Sequence, residues 1–141
     1  MNSAGTWLID KSAFVRLDRC PEADEWQNQI ERGMVHVTTA TLLELGHSAR
    51  SSEEVETVVH GPPVSSMPVA YLNPRMEDRA VEVMALMAAR GCHRGLSVAD
   101  ILIAAVAELS GLTVLHYDSD FETIAQVTGQ PIEWVVPRGS L

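Results

Sequence analysis

Lysine occurs once in this chain, at Lys11, and 10 basic residues face 19 acidic ones for a formal net charge of -9. An anionic surface of this kind repels polyanions, which excludes capture of nucleic acid by bulk charge. The imbalance is steepest from Asp100 onward, where Asp100, Glu108, Asp118, Asp120, Glu122 and Glu133 stand against Arg138 alone. A polyanion reaching that region needs bound cations or a second subunit to meet it. Cysteine is nearly absent too. Cys20 and Cys92 form no CxxC pair and no Cys/His cluster, which argues against a disulfide scaffold or zinc site and suits reduced thiols in a cytoplasm. No apolar run approaches the roughly 18 residues of a membrane helix. No basic segment followed by an apolar stretch opens the chain, so no signal peptide is expected. A GxSxG nucleophile elbow and an HExxH pairing are both missing, which weakens serine- and zinc-hydrolase chemistry.

What is present is a pattern of alternating short apolar runs and amphipathic stretches. The 141 residues fit a single domain, 1–141 with 136–141 as a tail, burying about 70% of the unfolded surface. Thr6 to Ile9 predicts a strand, and Ser12 can cap a helix through Ala13, Phe14, Val15 and Leu17. Pro21 is placed as a first-turn proline of a helix that buries Trp26 and Ile30 and ends at Gly33. Met34 to Val37 predicts a strand, followed by a helix starting around Thr38 to Thr41 and carrying Leu42, Leu43 and Leu45. Ser51 and Ser52 punctuate the chain before Glu53 to Val59, and the breaker His60-Gly61-Pro62-Pro63 places a loop there. Val69 to Leu72 predicts a weaker strand, and a helix follows from about Arg75 to Arg90 with Ala80, Val83, Met84 and Met87 inward. Ser97 opens a further helix whose Val98, Ile101, Leu102, Ala105 and Leu109 follow helical spacing up to Gly111. Strands over Leu112 to Leu115 and Pro131 to Val135 flank a short helix from Asp120 to Val127. The alternation predicts an α/β fold with a mainly parallel sheet of about five strands, covered on both faces.

Four acids occupy corresponding places in that pattern. Asp10 ends the first strand, Asp118 follows the strand at Leu115, and Glu44 and Asp100 fall in the first turns of helices. Strand ends and the helix starts that follow share one sheet edge, where ligands of open α/β proteins bind. Each acid also has a purely structural explanation. Asp100 stands three residues after Ser97, as in a capping box, and Glu44 bears the same relation to Thr41. Asp10 can cap the next helix, and Asp118 and Asp120 can hold a turn. Their joint placement favours a site for a hard divalent cation, which prefers oxygen ligands and offsets the mutual repulsion of clustered carboxylates. Ser12, Thr39, Ser97 and Ser119 lie beside the acids, as caps or as groups that orient a ligand, and Arg94 is a candidate phosphate contact or a solvated surface residue.

The segments Trp7 to Ala13, Leu42-Leu43-Glu44-Leu45, Leu96 to Ala105 and His116-Tyr117-Asp118-Ser119-Asp120-Phe121 resemble the PIN domain, specifically VapC-like toxin ribonucleases. The resemblance runs from about Thr6 to Val135 and is weak between Ser51 and Tyr71. It implies a three-layer α/β/α sandwich and a metal-dependent endoribonuclease whose products carry a 5′-phosphate and a 3′-hydroxyl. Asp10, Glu44 and Asp100 would be the core ligands of Mg²⁺, with Mn²⁺ as the alternative. Asp118 would be the fourth acid and Asp120 a fifth; Ser12 matches a small hydroxyl residue common in the family, and Lys11 replaces a frequent threonine. The resemblance further implies a homodimer, an RNA substrate and a cognate VapB-like antitoxin. An amphipathic antitoxin helix is expected in a groove between the early helices that includes Trp26 and Leu42.

Two other classes are open to a chain with acids at strand ends. A receiver-like signalling module would need a lysine near the last strands, and a phosphatase with Asp10 as nucleophile would show Asp-x-Asp where Asp10-Lys11-Ser12 stands. A catalytically silent PIN-like domain is the third alternative. The ending Val136 to Ser140 resembles a protease-recognition sequence used in recombinant tags and is given no function.

Overall fold

Alternation along the two central strands sets the layers. In the computed structural model, which describes residues 5–141, β1 (Trp7–Ile9) turns Trp7 and Ile9 to one face of the sheet and Leu8 to the other. β3 (Thr113–His116) pairs with it in parallel, Leu8 opposite Val114 and Ile9 opposite Leu115, so each face is apolar across both strands. β2 (Val35–His36) lies on the far side of β1 and β4 (Ile132–Trp134) on the far side of β3, giving the parallel order β2-β1-β3-β4. The chain therefore leaves β1 in one direction and later returns past it in the other. A topological switch point falls between β1 and β3, where a crevice opens beyond the strand ends.

Helices cover both faces. α1 (Lys11–Phe14) and α2 (Ala23–Glu31) lie with Trp7 and Ile9, and Trp26 meets Trp7 edge-on with ring centroids 5.1 Å apart. Such a pair adds about 0.5–1.5 kcal/mol beyond the burial of the two rings. On the Leu8 face lie α5 (Pro74–Ala89), α6 (Val98–Ser110) and α7 (Asp120–Thr128). α3 (Thr39–His47) packs against α4 (Ser52–His60) and reaches α6. Asn73 caps α5 through the Met76 amide at 2.9 Å, and Gly111 ends α6 in the left-handed region at φ 70.

Four expectations change. The strand predicted over Val69 to Leu72 contracts to a single bridge between Val37 and Val69, because Tyr71 and Leu72 turn outward and Asn73 already caps α5. The first helix is only four residues long, capped by Asp10 rather than Ser12, and a 3₁₀ turn follows at Leu17–Arg19. Pro21 precedes the N-cap Glu22 instead of sitting inside α2. The predicted inner stripe of α6 is also displaced: Val98 is 69% exposed and Leu109 39%, while Ile103 to Ala107 are buried without a break. α6 is enclosed between the sheet and α5, so its middle has no outward face for a stripe to avoid.

Candidate functional site

β1 delivers Asp10 to the switch point, and the ladder continues one residue beyond the strand through Asp10 N donating to Leu115 O at 2.9 Å. This fixes Asp10 beside the chain that leads from β3 to Asp118. Ser12 ties the two together. Its Oγ donates to Asp10 Oδ2 at 2.6 Å and accepts from Tyr117 N at 2.9 Å, while Ser12 N also donates to Asp10 Oδ2 at 3.0 Å. His116 supports the loop from beneath: Asp118 N donates to its Nδ1 at 3.1 Å, and its ring packs between Phe121 and Trp134. Asp118 Oδ1 in turn accepts from Asp120 N at 2.9 Å, a turn that starts α7.

The helices bring in the other acids. Ser97 caps α6 by accepting from Asp100 N at 3.3 Å, but the Asp100 carboxylate accepts no hydrogen bond from Ser97 N in return, so the capping box is half made and that carboxylate is left for the cleft. α3 is capped by Thr38 through Thr41 N at 3.1 Å, which leaves Glu44 in the second turn with no capping role. Glu44 Oε1 is buried without a partner.

Asp10, Ser12, Glu44, Ser97, Asp100 and Asp118 thus line one cleft of about 330 Å³, together with Lys11, Val15 and Arg16. Carboxylate oxygens of Asp100, Asp118 and Asp120 come within 4.8 Å of one another. Arg94 is exposed and is not among the lining residues. Lys11 Nζ donates to Ser48 Oγ at 2.7 Å at the far end of α3. Sequence reasoning passed over Arg16, which stands on the cleft wall four residues after Ser12, one helical turn on. It also passed over Tyr117 and His116, whose roles depend on residues distant in sequence.

Burial, then the negative charges of Asp10, Asp118, Asp120 and Glu44, push the Asp100 carboxyl up to about 7. Asp10 is raised by burial and by Asp118, against the two hydrogen bonds from Ser12 that favour its charged form. Glu44 is raised by burial and by Asp10, with Lys11 pulling the other way. Asp120 is raised by burial and by Asp118. Among the described residues, none of these acids forms an ion pair. An all-oxygen donor set, one buried oxygen without a partner and several carboxyls raised by one another fit a hard divalent cation. The fit comes from how the oxygens are left over. Asp10 and Asp118 each commit one oxygen to local backbone and keep the other, while Asp100 and Glu44 commit none.

Two apolar grooves flank the site. One of about 910 Å³ runs between α3 and α4, lined by Leu42, Leu43, Val55 and Val59, and shares Lys11 and Glu44 with the acidic cleft. The second, of about 630 Å³, lies at Phe14, Val15, Trp26 and Ile30. Trp26 and Leu42, expected in one groove, therefore belong to separate ones.

The PIN domain family model matches residues 7–127. Over 132 residues, 94% of each chain, the sequence is 58% identical to Ribonuclease VapC2 of Mycobacterium tuberculosis (strain CDC 1551 / Oshkosh). It is 39% identical over 135 residues, 96% of each chain, to Ribonuclease VapC51 of the same species (strain ATCC 25618 / H37Rv). Its fold is similar to that in the crystal structure of DNA-bound VapBC from Salmonella typhimurium, with a TM-score of 0.74 at 19% identity, covering 94% of this chain and 99% of that one.

Proposed function

The chain belongs to the PIN-domain family of VapC ribonucleases, and from that premise we propose that it is a metal-dependent endoribonuclease toxin that hydrolyses RNA phosphodiester bonds at the cleft between β1 and β3. The observation that carries this is the convergence of Asp10, Glu44, Asp100 and Asp118 from four separate segments on one cleft without a neutralising partner. These four would hold Mg²⁺, or Mn²⁺ in its place, with Asp120 as a fifth carboxylate. When bound, such an ion polarises the phosphodiester, acidifies the attacking water and reverses the sign of the field that the phosphate meets.

The protein's own part is preorganisation. Ser12 keeps one Asp10 oxygen in place and joins it to the Tyr117 backbone, so Asp10 is tied to the segment that carries Asp118. The half-made cap at Ser97 starts α6 and leaves the Asp100 carboxylate free to bind. Lys11, held by Ser48, lowers the cost of ionising Glu44.

A cognate VapB-like antitoxin would neutralise the enzyme by laying an amphipathic helix in the groove between α3 and α4, which opens directly onto Glu44. A homodimer would form through α5 and the start of α6, where Val81 is 73% and Val98 69% exposed. Cytoplasmic location follows from the same activity and agrees with two free cysteines.

Cleavage ends mapped in total RNA after induction of the wild-type and Asp10→Ala proteins test the activity and its substrate together. New ends bearing a 5′-phosphate with wild type, absent with Asp10→Ala and on metal chelation of the purified protein, are expected. Equal cleavage by the two proteins would overturn the assignment.

A further inference from the structure

Arg16 is one of two cations lining a cleft that also holds four acids, and the two are held differently. Lys11 donates to Ser48 and faces the far end of α3. Arg16 Nη1 donates to the carbonyl of Ser12 at 2.7 Å, satisfying a backbone acceptor at the end of α1. Its guanidinium carbon lies over the Tyr117 ring, 4.4 Å from the centroid. Nε is buried and unpartnered, whereas Nη2 has no partner among the described residues and is not sealed from solvent. A guanidinium beside several carboxylates would ordinarily pair with one of them, yet Arg16 forms no ion pair among the described residues. One edge is fastened to Ser12 and one face to Tyr117, and both of those groups are themselves tied to Asp10 through the Ser12 hydroxyl. The positive charge is thereby kept off the acids and at a fixed place beside them.

We propose that Arg16 is a phosphate-binding residue, presenting its Nη2 edge to the phosphodiester backbone of RNA at the mouth of the acidic cleft, with Ser12 and Tyr117 as its positioning groups. The proposal rests on the ribonuclease function put forward above. Guanidinium suits the task because its rigid planar fork offers a carbonyl one nitrogen and a phosphate oxygen another at a fixed spacing, whereas the donors of an ammonium all radiate from a single nitrogen. It also supplies, within a chain of net charge -9, a local cation for an incoming polyanion.

The test uses the full chain with a fluorescent single-stranded RNA, with Ca²⁺ replacing Mg²⁺ for equilibrium binding and Mg²⁺ for kinetics. Arg16→Met keeps an unbranched side chain against Tyr117 and removes the charge; Arg16→Lys keeps the charge and removes the fork. Arg16→Met is expected to weaken binding on the order of tenfold, to raise KM by a similar factor, and to flatten the slope of log K against log salt by about 0.7, the loss of one phosphate contact to a single strand. Arg16→Lys should recover the salt slope and less than half of the affinity in logarithmic terms. Calorimetric Mn²⁺ affinity should stay at the wild-type value in both, which separates a phosphate contact from disturbance of the acids. Wild-type affinity and salt slope in Arg16→Met would overturn the proposal, as would loss of Mn²⁺ binding in step with RNA binding. Should Arg16→Met fail to fold, Arg16→Lys decides: full wild-type RNA affinity refutes the fork. A wild-type protein that neither binds nor cuts RNA would instead remove the ribonuclease function, and this proposal with it.

Discussion

Replacing Asp100 with Asn should make the metal-free protein more stable while removing its capacity to be stabilised by metal. Asp100 is 7% exposed, and its carboxyl rises from 3.8 to about 7 in the folded protein. At about 1.4 kcal/mol per pKa unit, holding that carboxylate ionised costs the fold about 4 kcal/mol. Its first-turn position in α6 returns no more than about 1 kcal/mol of that cost through the helix dipole. Asn removes the charge and leaves the volume, so at pH 8 without metal the variant should gain about 3 kcal/mol, or roughly 10 °C in Tm. The sign follows from proton uptake. Because the folded pKa lies above the unfolded value, the folded state binds the extra proton, and that stabilisation is complete below about pH 4 and lost as pH rises through about 7. The advantage of the variant should therefore shrink to below about 1 kcal/mol at pH 5. Excess Mn²⁺ at pH 8 should reverse the order, since a ligand at roughly 1,000 times its Kd adds about 4.1 kcal/mol to the protein that binds it, more than the variant gains. Urea unfolding of both proteins at pH 5 and pH 8, with chelator and with metal, reads all four corners. If Asp100→Asn is no more stable than wild type at pH 8 in chelator, the carboxylates do not repel one another as described and the inferred need for a counter-charge disappears.

Ser12→Ala removes a hydroxyl that serves Asp10 Oδ2 and Tyr117 N at once, and should cost about 1–3 kcal/mol in stability and at least tenfold in RNA cleavage; unchanged cleavage would show that the bridge does not position Asp10. His116 is lowered to about 4 by burial, against the pull of Asp118 and Glu122, so its contribution is present above about 6.5 and lost as pH falls toward 4. That loss runs opposite to the gain from Asp100, and the metal-free wild type should vary little in stability over that interval; His116→Phe, lacking the loss, should become steadily more stable on acidification, as thermal melts across the range will reveal. RNA binding should need a divalent ion even without turnover. A unit charge at about 4 Å is worth about 1 kcal/mol in water and about 4 at an effective dielectric of 20, so Ca²⁺ in place of chelator should tighten anisotropy-measured binding at least tenfold, and equal affinity in both would rule out a cation as the bridge to phosphate.

How far the site could be read from sequence depended on whether a residue's place was set by its own neighbourhood. Asp10 at the end of an apolar run and Asp100 three residues after Ser97 are marked by local pattern, and topology does the rest by bringing β1 and β3 side by side. The alternation of strands and helices was legible for the same reason, since period and turn residues are local. Val98 misled because helical spacing identifies apolar residues but not the side from which a helix is enclosed, and α6 is enclosed on several. Val69 to Leu72 misled because apolar character does not ensure a ladder when the neighbouring strand is an edge two residues long. Arg16 was hidden for a different reason: its position is determined by Tyr117, 101 residues away, which comes under it only when Ser12 and the β3 loop have met.

An acidic nuclease is less paradoxical once the charges are separated by what restrains them. Asp10 and Asp118 each give one oxygen to the backbone that fixes them and keep the other for the cleft. Asp100 and Glu44 have no such restraint: burial and its acidic neighbours push Asp100 up to about 7, while Lys11 offsets part of the burial cost at Glu44. Arg16 is fastened to a carbonyl and an aromatic ring and so does not serve as their counter-charge. If it did, the cleft would be neutralised from within, and neither a metal nor a phosphate would find an unpaired partner there. The Ser12 and Tyr117 contacts that hold Arg16 away from the acids are thus what leaves both the carboxylates and the guanidinium available, side by side, for ligands of opposite charge.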